Sequence, residues 1–233
     1  MSRKRATLLR TLNDPRAEAV LARLHAAADR QTPALVRHYL PQLPRLLVGR
    51  GLRWHPRSDG FYADKYIPIE PAQGVFGYLT CRAVQARTVV EFGTSFGVST
   101  IYLALAVRDN GGGRVVGTEL LPAKAAKARE HLAEAGLAEF VEVREGDALD
   151  TLRDLAGPVD FLLNDGFPPV ALGVLKLVAP RLRPGAVVLT DNVGMFKADY
   201  AAYTAWVRDP ANGFRSGAIG LKGGTEYSVR VAD

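Results

Sequence analysis

The chain has 233 residues, of which 48% are hydrophobic, and a formal net charge of +6. That is enough apolar material for one large α/β core, and it excludes an intrinsically disordered chain. No apolar run approaches the roughly 18 residues a membrane span needs, so no membrane partner is expected.

The start, MSRKRATLLRTLNDPR, is basic but is followed by no continuous apolar stretch of a secretory leader, which points to the cytoplasm. The single cysteine, Cys81, excludes an intrachain disulfide and a cysteine-rich zinc site. Within the apolar stretch 76–84 it reads as a buried small hydrophobe. Residues 1–60 hold twelve Lys/Arg against four Asp/Glu, whereas residues 61–233 hold eighteen against twenty. The basic residues of 1–60 are spaced singly, without interleaved aromatics for base stacking. A solvated helix face or a homodimer contact is therefore expected there rather than a nucleic-acid arm.

Residues 5–48 read as helical, because Leu8, Leu9, Leu12, Val20, Leu21, Leu24, Leu35, Val36, Tyr39 and Leu40 recur at helical spacing. Asp14-Pro15 has the form of an N-cap followed by the first helical position. Residues 49–68 read as a loop that serves as a binding segment or lid. Its Trp54, Phe61, Tyr62 and Tyr66 either line an aromatic pocket or pack the loop against the body. A helix follows over about 71–86. The chain thus divides into a helical extension with a lid over 1–65 and a ligand-binding domain over 66–233.

From residue 88 the pattern alternates. Strands are expected at 88–92, 114–119, 140–144, 159–164 and 186–190. Helices are expected at 98–107, 122–135, 148–156, 170–182 and 197–209. The strands read as continuous apolar runs, which implies a mostly parallel sheet covered by helices on both faces. Segments 214–221 and 225–231 are separated only by Lys222-Gly223-Gly224, so they form an antiparallel hairpin at the sheet edge. The fold class is α/β with seven strands. His25, His38 and His131 lie on helical segments and read as surface residues.

The turn from Glu91 through Gly93, Ser95, Gly97 and Ser99 joins a strand to a helix, where open α/β sheets bind ligands. Two glycines four apart do not make the three-glycine dinucleotide fingerprint. A carboxylate beneath the turn would repel a pyrophosphate by about 4 kcal/mol at ~4 Å and an effective dielectric of ~20. The same charge favours the cationic methionine half of S-adenosylmethionine, whose carboxylate could meet the helix N-terminus and the Ser99 hydroxyl. Glu119, ending the next strand, could accept from both ribose hydroxyls. Asp147 could accept from the adenine amino group while the Ala148 N–H donates to the ring, and Asp147 could also cap the helix from 148.

The full set is Pro71-Ala72-Gln73-Gly74 seventeen residues before Glu91, the turn 91–99, Glu119, Gly146-Asp147-Ala148, Asp165 and Asp191-Asn192. It resembles the class I S-adenosylmethionine-dependent methyltransferases over residues 66–233. More narrowly it is similar to the cation-dependent O-methyltransferases of the catechol and caffeoyl-coenzyme A type. The resemblance implies a Rossmann-like fold and a small hydroxylated, catechol-like substrate. It implies that Glu91 holds the methionine ammonium, Ser99 its carboxylate, Glu119 the ribose, and the Ile69 backbone the methionine end. Asp165 and Asp191-Asn192 end adjacent strands, and two carboxylates with an amide carbonyl suit Mg²⁺ or another divalent cation. Such an ion would favour the phenolate and orient it, with Asp165 as the catalytic acid group.

One position departs from the family. Its lysine, three residues after the first metal aspartate, is replaced by Pro168. Either the metal alone activates the hydroxyl, or a base comes from His55, Lys65 or Lys197. The rival readings are a metal-independent enzyme of the same fold in which Asp165 contacts cofactor or substrate directly, a dinucleotide oxidoreductase, and an RNA-directed methyltransferase using the basic N-terminal segment.

Overall fold

The computed structural model describes residues 3–54 and 59–231. His55, one of the expected bases, lies outside the described residues. Seven strands form one sheet: β1 (Thr88–Phe92), β2 (Arg114–Glu119), β3 (Val141–Glu145), β4 (Val159–Asn164), β5 (Leu182–Thr190), β6 (Phe214–Ile219) and β7 (Thr225–Arg230). Their order is β3-β2-β1-β4-β5-β7-β6. The pairs among β1 to β5 are parallel, while β7 runs antiparallel between β5 and β6. The expected hairpin therefore sits at the sheet edge. The chain builds outward from β1 to β3, then restarts on the other side of β1 with β4, so the ends of β1 and β4 splay into a crevice.

Ten α-helices surround the sheet among the described residues: α1 (Arg3–Leu9), α2 (Pro15–Tyr39), α3 (Leu43–Leu47), α4 (Asp59–Tyr62), α5 (Pro71–Ala83), α6 (Val98–Asp109), α7 (Pro122–Glu134), α8 (Ala148–Thr151), α9 (Ala171–Val178) and α10 (Ala201–Arg208). Successive strand residues serve opposite faces, as the pleat requires. Val89, Phe161 and Val187 pack with Leu21, Ile101 and Leu105 on one side. Val90, Leu162 and Val188 pack with Leu175, Val178 and Tyr203 on the other. That two-sided burial is why the strands read as unbroken apolar runs. Cys81 is fully buried, as its surroundings predict, and burial pushes its thiol up.

The N-terminal helices share the first of these cores through Leu9, Leu12 and Leu24. Asp14 caps α2 by accepting from Ala17 N at 2.9 Å and receives the Arg108 guanidinium at 2.6 Å. Arg16 donates to the carbonyls of Ala133 (2.9 Å) and Glu134 (2.5 Å) in the last turn of α7.

Several boundaries differ from the sequence pattern. The 5–48 helix is broken at Asn13, whose left-handed φ of 51° ends the first piece. It is tightened at Leu40–Gln42, where Pro41 favours a 3-10 turn. α8 stops at Thr151, and α10 starts at Ala201 because residues 193–200 turn back on the Asn192 carbonyl (Met195 N at 3.0 Å, Phe196 N at 2.9 Å).

Two of the three histidines are not on the surface. His25 is 3% exposed and meets the Tyr102 hydroxyl at 3.2 Å, and His131 is 6% exposed and meets the Phe96 carbonyl at 2.9 Å. His25 sits where α2 packs on α6 and His131 where α7 meets the glycine turn, which spacing along a single helix does not reveal.

Candidate active site

The crevice holds a cavity of about 630 Å³ at the C-terminal ends of the parallel strands. Of the twelve residues singled out in the sequence, ten line it: Ile69, Gly93, Ser95, Ser99, Glu119, Asp147, Ala148, Asp165, Asp191 and Asn192. Glu91 and Gly97 stand one layer behind, beneath the wall formed by residues 92–96 and Ser99.

Glu91 is completely buried. Its Oε2 accepts from Thr94 Oγ1 at 2.9 Å and Thr100 Oγ1 at 2.5 Å, while Oε1 has no partner. Burial raises its pKa, against the hydrogen bonds from Ser99, Thr100 and Thr94. An orphaned buried carboxylate oxygen costs roughly 1–3 kcal/mol, more when charged. It is the kind of strain that a cation bound nearby relieves.

The turn above it depends on Gly93. Its φ is +99°, and a Cβ there would lie 2.6 Å from the Asp165 carbonyl oxygen and 2.8 Å from Gly166 Cα. β1 and β4 thus touch backbone to backbone at the crevice, with Asp165 N donating to Phe92 O at 2.9 Å. Glu119 ties the second strand to the same turn: Oε2 accepts from Ser95 N at 2.8 Å and Oε1 from Leu121 N at 2.9 Å. Each oxygen keeps a lone pair directed elsewhere. Asp147 is exposed and caps α8 by accepting from Leu149 N at 2.8 Å.

At the other end of the cavity Asp165 and Asp191 come together. Asn192, at a left-handed φ of 63°, donates through Nδ2 to Asp191 Oδ2 (3.1 Å) and Asp165 Oδ1 (3.5 Å). Asp191 Oδ1 accepts from Gln73 Nε2 (2.6 Å) and Thr225 Oγ1 (3.1 Å). Withdrawal from water, with the charges of Asp191 and Glu91, holds the Asp165 carboxyl well above the usual carboxylate range. Burial pushes Asp191 up to about 6.

Two buried acids brought together in this way suit a divalent ion. The Asn192 amide now bridges them with its N–H. Turning that amide over would present its carbonyl oxygen to an ion instead. Among the described residues no group of three or more His, Cys, Asp and Glu side chains is placed to cage a metal.

An aromatic wall faces the acid pair. Trp54 stacks on Tyr62 (4.8 Å between centroids, 19°) and lies 5.1 Å from Phe167. Trp54, Tyr62, Tyr66, Phe167 and Pro168 all line the cavity. Phe61 instead stacks on His38 at 4.0 Å, so the loop aromatics divide between pocket and packing.

Two glutamines pin this wall. Gln31 accepts from Tyr66 N (2.7 Å) and donates to Asp64 O (3.1 Å). Gln42 accepts from Arg53 N (2.7 Å) and donates to Arg53 O (3.0 Å). Neither glutamine carries a sequence signal, since each lies on a polar helical face.

Two candidate bases do not reach the cavity wall: Lys65 pairs with Asp64, and Lys197 donates to Gly49 O at 3.4 Å. The lysines on the wall are Lys124 and Lys222. Lys124 went unnoticed in the sequence because it sits among the ordinary charges of α7. It is 7% exposed, 3.4 Å from Ser95 Oγ and 5.2 Å from the Phe96 ring centroid, and burial lowers its pKa.

A family model described as a methyltransferase domain matches residues 90–193, which span β1 to the end of β5. A catechol O-methyltransferase of Mycobacterium tuberculosis is 42% identical over 128 residues, covering 54% of this chain and 57% of that protein. The chain spans little more than half the length of the curated relatives it matches. The structure of cofactor-bound Rv0187 from MTB aligns with a TM-score of 0.66 at 30% identity, covering 82% of this chain and 91% of that one. The O-methyltransferase from Bacillus cereus in complex with SAH aligns with a TM-score of 0.63 at 27% identity, covering 75% and 97%. Fold, glycine turn and relatives agree: the chain belongs to the S-adenosylmethionine-dependent methyltransferases.

Proposed function

We propose that this protein methylates a hydroxyl oxygen of a small aromatic, catechol-like molecule, using S-adenosylmethionine. The observation that carries this reading is a single cavity that joins the glycine turn and Glu119 at one end to the Asp165–Asp191 pair and the Trp54 wall at the other. Bound S-adenosylmethionine supplies an electrophilic methyl on a cationic sulfur. A divalent cation held by Asp165, Asp191 and Asn192 would supply positive charge for the acceptor oxygens.

The chain's own residues do the rest. Ser99 and the α6 N-terminus receive the methionine carboxylate, and the Ile69 backbone flanks that end. Asp165, on the wall, is the acid nearest to hand for the ammonium or for an acceptor hydroxyl. Glu91 acts from one layer behind: it braces Thr94 and Thr100 and adds negative potential beneath a cationic ligand. Glu119 uses its free lone pairs for the ribose hydroxyls. Asp147 and the Ala148 N–H face the adenine. Trp54, Tyr62 and Phe167 orient an aromatic ring against the acids, and positioning of this kind is worth several kcal/mol of a transfer barrier. Pro168 leaves no lysine beside Asp165, so the two carboxylates are the proton acceptors closest to the hydroxyl.

A second reading is methyl transfer without a cation, in which the Asn192 amide keeps its bridge between the acids. The experiment is transfer of labelled methyl from S-adenosylmethionine to catechol, with and without EDTA, beside calorimetric titration with S-adenosylhomocysteine. Loss of transfer in EDTA supports the cation, and survival supports the second reading. Binding of NAD without S-adenosylhomocysteine binding would sink both.

A further inference from the structure

Only the first half of helix α2 is buried in the core. Ala17, Val20, Leu21, Leu24 and His25 are buried, and no residue from 26 to 50 is. Beyond His25 the helix continues for fourteen residues, or about 21 Å at 1.5 Å each. A 3-10 turn and α3 then follow. This projecting piece carries Val36, Leu40, Leu43, Leu46, Leu47 and Val48, between 44% and 79% exposed. They are six of the nine strongly exposed large hydrophobics among the described residues. Val36, Leu40, Leu43 and Leu47 are spaced by four, three and four residues, which is the spacing of one helical stripe, and Leu46 and Val48 flank its end.

The charge around the stripe has one sign. From residue 30 to 58 there are six arginines and no acid. Arg30, Arg37 and Arg50 are exposed, and with Arg45 they form no ion pair with a described residue. The neighbouring acids are already taken: Asp29 by Arg5 (2.5 Å), Asp64 by Lys65, and Asp199 by Arg53 (3.3 Å). A second copy packed stripe on stripe would set arginine against arginine, with no local acid to neutralise it. A protein partner's groove is usually filled by aromatic anchors, whereas the exposed large hydrophobics here are Leu and Val alone. An aliphatic ridge flanked by arginines matches a lipid surface: the side chains enter the acyl boundary while the guanidinium groups meet anionic headgroups.

We propose that residues 36–50 dock this protein peripherally on an anionic lipid surface. This is a contact with the surface and not a span, since among the described residues no helix is long and apolar enough to cross a membrane. Leu35, Val36 and Tyr39 on the same helix also line the cavity. The docked protein therefore opens its cavity beside the lipid.

The test is co-sedimentation of the full chain with vesicles of phosphatidylcholine alone or with one-third phosphatidylglycerol. Pelleting is expected only with the anionic vesicles and is lost in high salt. Each arginine near such a surface is worth about a factor of five, so Arg37→Glu with Arg50→Glu weakens partitioning at least about thirty-fold. Leu43→Glu with Leu47→Glu abolishes it, while circular dichroism confirms an unchanged fold. No pelleting with either vesicle overturns the proposal. If light scattering then shows a dimer that Leu47→Glu converts to a monomer, the ridge belongs to a second copy.

Discussion

Replacing Asp191 by asparagine tests the strain at the acid pair through stability alone, whatever the protein methylates. Asp191 is 5% exposed, and its carboxyl is pushed from 3.8 up to about 6 by burial. Between these values the folded protein holds a proton that the unfolded chain has released. Stability is therefore greatest on the acid side and is lost as pH rises through about 6. The full penalty, two pKa units, is about 3 kcal/mol at neutral pH in the absence of a cation.

Asp191→Asn removes that penalty. Its side-chain oxygen can still accept from Gln73 and Thr225, but its new N–H faces the Asn192 amide, a mismatch worth about 1 kcal/mol unless Asn192 turns. The net gain is about 2 kcal/mol near neutral pH, or about 4–8 °C in Tm for a chain of this size. The assay is thermal unfolding of both proteins in EDTA, near neutral pH and near pH ~4. The variant should be the more stable at neutral pH, and the difference should vanish or reverse in acid. Asp165 loses the Asp191 charge in the variant, which adds to the gain in the same direction, and the more distant titrating groups cancel in the comparison. A difference independent of pH, or a less stable variant at neutral pH, refutes the reasoning.

Burial pushes His25 in the opposite sense, from 6.5 down to about 4. The unfolded chain protonates first, so this contribution is present above about pH 6.5 and is lost as pH falls towards about 4, up to about 3 kcal/mol. His25→Gln should flatten the urea midpoint over that window, and an unchanged slope would refute the assignment. Gly93→Ala drives a Cβ into the Asp165 carbonyl at a positive φ. It should cost about 3 kcal/mol or more in unfolding free energy and remove S-adenosylhomocysteine binding in calorimetry. Wild-type affinity in that variant would contradict the close contact of β1 and β4. Gln42→Ala frees the Arg53-Trp54 end of the aromatic wall. It should raise the acceptor KM about tenfold, the worth of one to two hydrogen bonds, while S-adenosylhomocysteine affinity is unchanged. Equal losses in both would show a general structural role instead.

The glycine turn, Glu119, Asp147 and the Asp165–Asp191–Asn192 set were legible because each ends a strand, and strand ends of a parallel sheet meet at one edge. Across the sheet they lie in the order Asp147, Glu119, glycine turn, Asp165, Asp191, because the chain builds outward to β3 and then restarts beyond β1. The aromatic wall was visible only as an alternative, because Trp54 and Tyr62 belong to a loop whose course no periodicity dictates. Gln31, Gln42 and Lys124 carried no signal: a polar residue on a helix looks the same whether it meets water or another segment. His25 and His131 were misread for that reason, since the helix faces they occupy are covered by elements far away in sequence.

Sequence alone determined the alternation of strands and helices, the parallel sheet and the chemical character of its binding edge. These follow from local propensity and from burial on two faces, which leave their pattern in consecutive residues. Tertiary structure alone decided that Glu91 stands behind the cavity wall while Asp165 stands on it. Both are acids at the ends of neighbouring strands, and sequence cannot order them in depth. The difference arises because the turn at Gly93 folds over Glu91 and brings Thr94 and Thr100 onto its carboxylate, whereas Asp165 lies beyond the touching strands and faces the open cavity.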